Sequence, residues 1–224
     1  MANLAEKDFL YSQSGTRIRV KNNPIYFLQK RIIDILGASL GLILLCGVFL
    51  VVTILIKVED PKGPIFFSQK RVGKNGEEFK MFKFRSMVSD AEDRLNDLLK
   101  HSEVSGAMFK MKDDPRITSI GKFIRKTSID ELPQLINVLK GEMSLVGPRP
   151  PLPREVSEYT EYDKQRLLVT PGCTGLWQVS GRSTIGFKEM VELDLLYIRD
   201  KNILLDSKII VKTILLLLGS KDAY

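Results

Sequence analysis

The sequence is poor in the residue types on which many catalytic and metal sites depend. It contains a single histidine, His101, and two cysteines, Cys46 and Cys173. A Ser-His-Asp triad, an HExxH metal site or a histidine phosphorelay would each rest on His101, whose place at the end of a charged helical stretch is typical of a surface histidine. The two cysteines form neither a disulfide framework nor a zinc pattern, which favours a reducing, cytosolic setting. The motif GxxxxGKS/T is also absent, which argues against ATP hydrolysis of the P-loop kind.

The longest apolar run extends from Ile32 to Ile56 and is long enough, as a helix, to cross a bilayer core of roughly 30 Å. It begins far from Met1, is too long for a signal peptide and has no small-residue cleavage site after it. Basic residues dominate both flanks: Lys7, Arg17, Arg19, Lys21, Lys30 and Arg31 before the run, and Lys57, Lys62, Lys70 and Arg71 after it. The positive-inside rule therefore favours a re-entrant helix that leaves on the face it entered, while one ordinary transmembrane helix remains an alternative.

These features predict a polar, basic tail over residues 1–31, a membrane-inserted segment over 32–57 and a cytoplasmic catalytic domain over 58–224. The formal net charge is +7. Beside an apolar anchor, this charge favours lipid headgroups and phosphate ligands as partners. Nucleic acid is not expected, because no recognition motif accompanies the charge.

Within the domain the patterns predict a mainly α fold with a small β-hairpin, an α/β globular unit attached to the membrane helix-hairpin. Strands are expected over 65–72 and 78–84, joined by the turn of residues 73–76. Helices are expected over about 89–101, 117–126, 130–139, 154–169, 187–199 and 206–218. The last helix is apolar but too short to span, so it is either a core helix or an interfacial one with snorkelling lysines.

The segment RKTSIDELPQ, residues 125–134, places two carboxylates side by side after two cations. Because Pro133 is tolerated without cost only in the first turn of a helix, the helix should begin between Ser128 and Asp130. Asp130 and Glu131 then lie at the positive end of the helix dipole, where Asp130 stays ionised as a nucleophile or a metal ligand. The alternative is structural, because Ser128-x-x-Glu131 also fits a capping box.

Cations placed in turns or at element ends are candidate phosphate ligands: Lys83, Arg85, Arg116, Arg125, Arg149 and Arg182. Arg149 is held between prolines, so it can clamp a phosphate with little loss of entropy. A single arginine is usually solvated surface, but acids, arginines and rigid loops beside a membrane together suggest phosphoryl transfer with a divalent cation.

Several segments resemble the bacterial sugar transferases, the monotopic phosphoglycosyl transferases that move a sugar-1-phosphate from a nucleotide sugar to a polyprenyl phosphate. They occur in family order: KVEDPKGPIFFSQ (57–69), KFRSM (83–87), DPRIT (114–118), TSIDELPQL (127–135), GEMSLVGPRP (141–150) and TPGCTGLWQVSGR (170–182).

The resemblance implies that Asp130 is the nucleophile, attacking the β-phosphorus of a UDP-sugar, expelling UMP and holding the sugar phosphate covalently. Undecaprenyl phosphate then takes up the sugar phosphate, with ping-pong kinetics. Glu131 assists, Mg²⁺ is the cofactor at Asp130 and Glu131, and Lys83, Arg85, Arg125 and Arg149 hold phosphates.

The resemblance also implies a re-entrant anchor in a bacterial inner membrane, with the domain on the cytoplasmic face. Where the family breaks its hairpin with Ser-Pro, this chain has Cys46-Gly47, and glycine permits a bend. The chain looks like the minimal catalytic form, without the multi-span region of larger relatives, and relatives suggest a homodimer. The transferred sugar is left open, with residues 102–112 and 174–188 as places where it could be chosen.

Two other functions are alternatives to the transferase. A non-catalytic membrane scaffold of a polysaccharide assembly complex would be marked by loss of the Asp130–Glu131 pair or of Arg149, and all three residues are present. A membrane-tethered nucleic-acid binder rests on net charge alone and predicts a steep salt dependence of binding.

Overall fold

The structure, a computed structural model, describes residues 18, 20, 23–91, 114–181 and 185–219. Helices α1 to α8 span Pro24–Leu44, Cys46–Glu59, Ser119–Lys126, Gln134–Lys140, Pro153–Ser157, Leu176–Ser180, Phe187–Asp200 and Ile203–Gly219. Strands β1 to β4 span Phe66–Val72, Glu78–Phe84, Ser144–Val146 and Gly172–Thr174. Short 3-10 segments cover Lys74–Gly76, Ile129–Glu131 and Asp163–Leu168. The predicted mainly helical fold is confirmed for these ranges.

The apolar run forms two helices instead of one. Helix α1 begins within the predicted tail because the Asn23 side chain accepts from the amides of Ile25 and Tyr26 and Pro24 opens the first turn. The break lies at Leu45, and α1 and α2 are bent by 58°. The predicted bend at Cys46 and Gly47 is thus displaced by one residue, since Cys46 is already the first residue of α2.

Among the described residues no single helix is long and apolar enough to cross a membrane, whereas α1 and α2 meet that test together by length and composition. The large apolar side chains that the pair leaves exposed are Ile25, Leu28, Ile32, Ile35, Leu36, Leu40, Ile43, Leu44, Leu50, Val51, Ile54 and Val58. The opposite face of each helix packs against the domain through Ala38, Val52 and Ile56.

The predicted hairpin is confirmed, with β1 and β2 antiparallel and Phe66 opposite Phe84. In the turn, Asn75 and Gly76 adopt positive φ values of 57° and 86°, which asparagine and glycine tolerate best. Strands β3 and β4 form a parallel pair that the sequence did not predict, because three-residue strands are too short to show alternation.

The predicted helix over 154–169 is wrong. Helix α5 ends at Ser157, and a separate 3-10 segment begins at Asp163. The Thr160 hydroxyl accepts from the amide of Asp163, while the Asp163 carboxylate accepts from the amide of Thr160. This reciprocal pair restarts the chain as a new helical segment.

The other predicted helices differ at their boundaries. Helix α3 begins at Ser119 because the Thr118 hydroxyl caps the amide of Gly121, so the predicted start at 117 is two residues early. Helix α7 confirms the prediction over 187–199, and α8 begins at Ile203 instead of 206. The predicted helix over 89–101 and the loop over 102–112 lie almost wholly outside the described residues.

Candidate active site

Asp130 and Glu131 lie in the 3-10 segment Ile129–Glu131, which joins the end of α3 to the start of α4. The predicted α-helix over 130–139 therefore begins later, at Gln134, with Pro133 in the cap position. Ser128 adopts a left-handed conformation with φ of 56°, and its side chain makes no capping hydrogen bond. The alternative of a Ser128–Glu131 capping box is thus wrong, and capping does not account for the two acids.

Lys83, in β2, brings the opposite charge to this pair. Its Nζ lies 2.7 Å from Glu131 Oε1 and 3.7 Å from Asp130 Oδ2. The Asp130 side chain is 8% exposed and that of Glu131 is 43% exposed. One lysine therefore lies within ion-pair distance of both acids, with Asp130 on the inside and Glu131 towards solvent.

The two carboxyl groups differ in acidity because their surroundings differ. Burial raises the pKa of Asp130 above its usual range, an effect that Lys83 opposes and the Glu131 carboxylate reinforces. Burial also acts on Glu131, but Lys83, then Arg149 and Arg71, outweigh it and hold the pKa of Glu131 below its usual range. Of the two carboxylates, the charge of Glu131 is thus the more strongly stabilised and that of Asp130 the less strongly stabilised.

Asn137 fixes α4 against the strand that carries Lys83. Its Oδ1 accepts from Phe82 N at 3.0 Å, and its Nδ2 donates to Lys80 O at 2.7 Å and to Glu142 Oε2 at 2.7 Å. The fully buried amide therefore occupies the outer edge of β2 as a neighbouring strand would.

Helices α3 and α4 lie on either side of the acids in the chain. The start of α3 is held by α2, and the end of α4 is held by α1. Glu59, at the end of α2, accepts from the amides of Ser119 and Ile120 at 2.8 and 3.1 Å, which caps the start of α3. Arg31 of α1 donates to the carbonyls of Val138 and Leu139 at 2.6 and 2.8 Å, which caps the end of α4. Each charge has the sign that the helix dipole favours.

The Pro-Arg-Pro segment forms the rigid loop that the sequence predicted. Three of residues 148–151 are prolines without an N–H, so the segment can be held mainly through its carbonyls. All four carbonyls accept a hydrogen bond, in chain order from Gly172 N (2.9 Å), Arg166 Nη2 (3.4 Å), Arg71 Nη1 (3.1 Å) and Val72 N (2.9 Å). Arg149 is half-buried, and its charge acts on Glu131.

The remaining predicted cations divide into two groups. Arg125, at the end of α3, lies close enough to Asp130 to lower its pKa in part. Arg85 instead pairs with Asp60 at 2.7 Å, and Arg116 pairs with both carboxylate oxygens of Asp114. The phosphate-binding role of Arg85 and Arg116 stays a prediction, and Arg182 lies outside the described residues. The structure thus brings together Lys83, Arg125 and Arg149 with the acid pair.

The sequence does not predict the roles of two residues at the site. Asn137 and Arg71 occur within a helix and a strand whose patterns show no functional motif, and their roles come from partners far along the chain. The one signal in the sequence is in β1, where the strand pattern puts Arg71 at a position that is buried in the structure.

A model of the family described as "Bacterial sugar transferase" matches residues 25–220 of this sequence. The chain belongs to the bacterial sugar transferase family. It is 53% identical over 197 residues to the "Galactosyl transferase CpsE" of Streptococcus agalactiae, covering 87% of this chain and 43% of that protein. It is 40% identical over 227 residues to the "Undecaprenyl-phosphate galactose phosphotransferase" of Salmonella typhimurium, covering 98% and 47%.

A shorter relative in this family is the "Exopolysaccharide production protein ExoY" of Sinorhizobium fredii, 40% identical over 205 residues, with 90% of each chain covered. The chain spans less than half the length of the streptococcal and Salmonella relatives. The resemblance inferred from the sequence motifs is confirmed at the level of the family.

The acid pair is also the candidate for a metal. No cluster of three or more His, Cys, Asp or Glu side chains suited to a metal ion occurs in the described part of the chain. Mg²⁺ at phosphate-transferring sites needs one or two protein carboxylates, because substrate phosphates and water complete its shell. Asp130 and Glu131, adjacent and with Glu131 partly exposed, fit such a donor set.

Proposed function

We propose that this protein transfers a sugar-1-phosphate from a UDP-sugar to undecaprenyl phosphate, releasing UMP, and so starts the assembly of a capsular or exopolysaccharide. The observation that carries this proposal is the buried Asp130 held beside Lys83 and a partly exposed Glu131. The names of the relatives, which refer to undecaprenyl phosphate, galactose and exopolysaccharide, support the substrate classes.

In the first step an Asp130 carboxylate oxygen attacks the β-phosphorus of the donor. An oxygen–phosphorus bond forms, and the bond from the β-phosphorus to the bridging oxygen breaks, so that UMP leaves with the electron pair. Burial supports this role because a poorly solvated carboxylate loses little hydration when it attacks. Lys83 keeps the carboxylate charged despite its burial.

In the second step a phosphate oxygen of undecaprenyl phosphate attacks the same phosphorus, and the Asp130–phosphorus bond breaks to restore the carboxylate. Two anions must approach in each step, so the cations Lys83, Arg125 and Arg149 reduce their repulsion. Mg²⁺ held by Asp130 and Glu131 would supply further charge neutralisation to the phosphates. Glu131 assists by handling the acceptor's proton or the metal.

The acceptor is a lipid, so the site must lie at the level of its headgroup. We propose that α1 and α2 form a re-entrant pair in the inner membrane, with the domain on the cytoplasmic face. The 58° bend, the exposed apolar faces of both helices and the basic residues at both ends support this arrangement.

The test is the variant Asp130→Asn, which keeps the size of the side chain but removes the nucleophile. We expect UMP release from the donor to fall by at least about a thousand-fold. The matched control is Asp200→Asn, a half-exposed aspartate paired with Arg199, which should release UMP at the wild-type rate.

A second readout concerns the intermediate. Wild-type protein mixed with Mg²⁺ and a panel of UDP-sugars, without acceptor, should gain the mass of one sugar phosphate on the peptide that contains Asp130. Transfer of sugar to the lipid by wild-type protein that never carries this adduct would refute the covalent route. Inactivity with every donor would favour the scaffold.

A further inference from the structure

Arg71, in β1, is a buried arginine with only neutral partners. Its side chain is 5% exposed, and it donates to Pro150 O at 3.1 Å and to Gln69 Oε1 at 2.8 Å. Its Nε has no hydrogen-bond partner, and no carboxylate of the described residues forms an ion pair with it. A buried charge that makes no direct ion pair is costly, so this arrangement does not favour stability.

The electrostatic surroundings add to that cost. Burial and, after it, the nearby Arg149 lower the pKa of Arg71 to about 10, although Glu155 and Glu131 oppose the shift. Arg71 and Arg149 thus lie close enough for their charges to repel each other. Such a pair is stabilised when an anion binds between or beside its members.

The position of Arg71 decides which part of the site it serves. Arg71 Nη1 holds Pro150 O, and the next residue, Val72, holds Pro151 O through its amide at 2.9 Å. Strand β1 therefore fixes the loop immediately after Arg149. Without the Arg71 contact the carbonyl next to Arg149 loses its partner, and the loop is held by its three other carbonyl contacts alone.

We propose that Arg71 is a positioning residue for the donor phosphates, holding the Pro-Arg-Pro loop so that Arg149 directs its guanidinium to the phosphate beside Glu131. This inference rests on the proposed function, because it takes a UDP-sugar as the ligand. It assigns to Arg71 a role that acts through Arg149 and not through its own contact with substrate, since its Nε is enclosed.

The experiment measures the affinity of full-length protein in detergent for UDP at fixed Mg²⁺, by calorimetry. Arg149→Met and Arg71→Met should each weaken UDP binding roughly ten-fold, the loss of about one charge-assisted hydrogen bond. The double variant should bind UDP no more weakly than Arg149→Met alone, because Arg71 acts through Arg149. Lys70→Met is the matched control on the same strand, with a lysine side chain that is 72% exposed, and should bind as wild type does.

Several outcomes would overturn the inference. Unchanged UDP affinity in Arg71→Met, with a lowered melting temperature, would show a structural brace only. A double variant that is weaker by the product of the two losses would show that Arg71 binds the ligand on its own. Failure of the wild type to bind UDP or any UDP-sugar would instead refute the proposed function and this inference with it.

A second pair of variants covers the case in which Arg71→Met does not fold. Gln69→Leu removes the acceptor that orients Arg71 Nη2 and leaves the arginine in place. It should weaken UDP binding in the same direction, and it should add nothing in the Arg149→Met background. Equal weakening in both backgrounds would contradict the proposed route through Arg149.

Discussion

Replacing Asn137 by leucine should lower the free energy of unfolding by about 2–4 kcal/mol, because the backbone of β2 would lose its partner on that edge. Two backbone groups, Phe82 N and Lys80 O, bond to this amide and would be left without it. A buried backbone group without a partner costs roughly 1–3 kcal/mol, and the added apolar burial of leucine offsets part of the sum. The third contact, to Glu142, adds little, because that side chain is 26% exposed and water can replace the amide.

The assay is thermal unfolding of purified protein in detergent, followed by circular dichroism. For a chain of this size 1 kcal/mol corresponds to roughly 2–4 °C, so Asn137→Leu should lower the midpoint by about 5–15 °C. Asn137→Asp should lower it at least as much, because a carboxylate would face the Lys80 carbonyl and the Glu142 carboxylate.

The comparison variant is Asn202→Ala. Asn202 is exposed, lies just before α8 and accepts from Leu205 N in the first turn of that helix, so removing its side chain should lower the free energy of unfolding by only about 1 kcal/mol. If Asn137→Leu unfolds within the same few degrees as Asn202→Ala, the amide does not hold α4 to β2 in the way inferred from its contacts.

Two further predictions concern acidity and topology. In Lys83→Met the burial that raises the pKa of Asp130 is opposed less strongly, because Arg125 remains but Lys83 is lost, so the acid limb of kcat/KM for the donor should move to higher pH. A limb that stays in place or moves to lower pH would contradict the role of Lys83. For topology, Gln29→Cys and Lys62→Cys, each in a background with Cys46→Ser and Cys173→Ser, should both react with an impermeant maleimide from the cytoplasmic side only. Reaction of one of them from the periplasmic side would show that the helix pair spans the membrane.

The features that could be predicted from the sequence depend on neighbours along the chain. The hairpin follows from alternation on either side of a Gly-Lys-Asn-Gly turn, and α7 follows from its periodicity. The acid pair could be located from Pro133 and the charges around it. The conformation of the acid pair could not be predicted, because the local sequence fits a capping box whereas Ser128 adopts a left-handed conformation in the fold.

The remaining features depend on contacts between distant residues. Lys83 reaches Glu131 across 48 positions, and Asn137 reaches Phe82 across 55. The carbonyls of the Pro-Arg-Pro loop take their partners from three separate elements. No local pattern encodes such pairings, so the distinction between Arg149 near the acids and Arg85 beside Asp60 became visible only in the folded chain.

The caps that Glu59 and Arg31 place on α3 and α4 have a mechanical consequence. The acid pair lies between these two helices, and their outer ends are fastened to α2 and α1 respectively. With α1 and α2 embedded as proposed, direct hydrogen bonds connect the helices around the reaction centre to the helices in the lipid. A thicker or thinner bilayer that lifts or tilts the anchor would carry Asp130 with it, so membrane composition becomes a direct control on how well the nucleophile meets a headgroup of fixed depth.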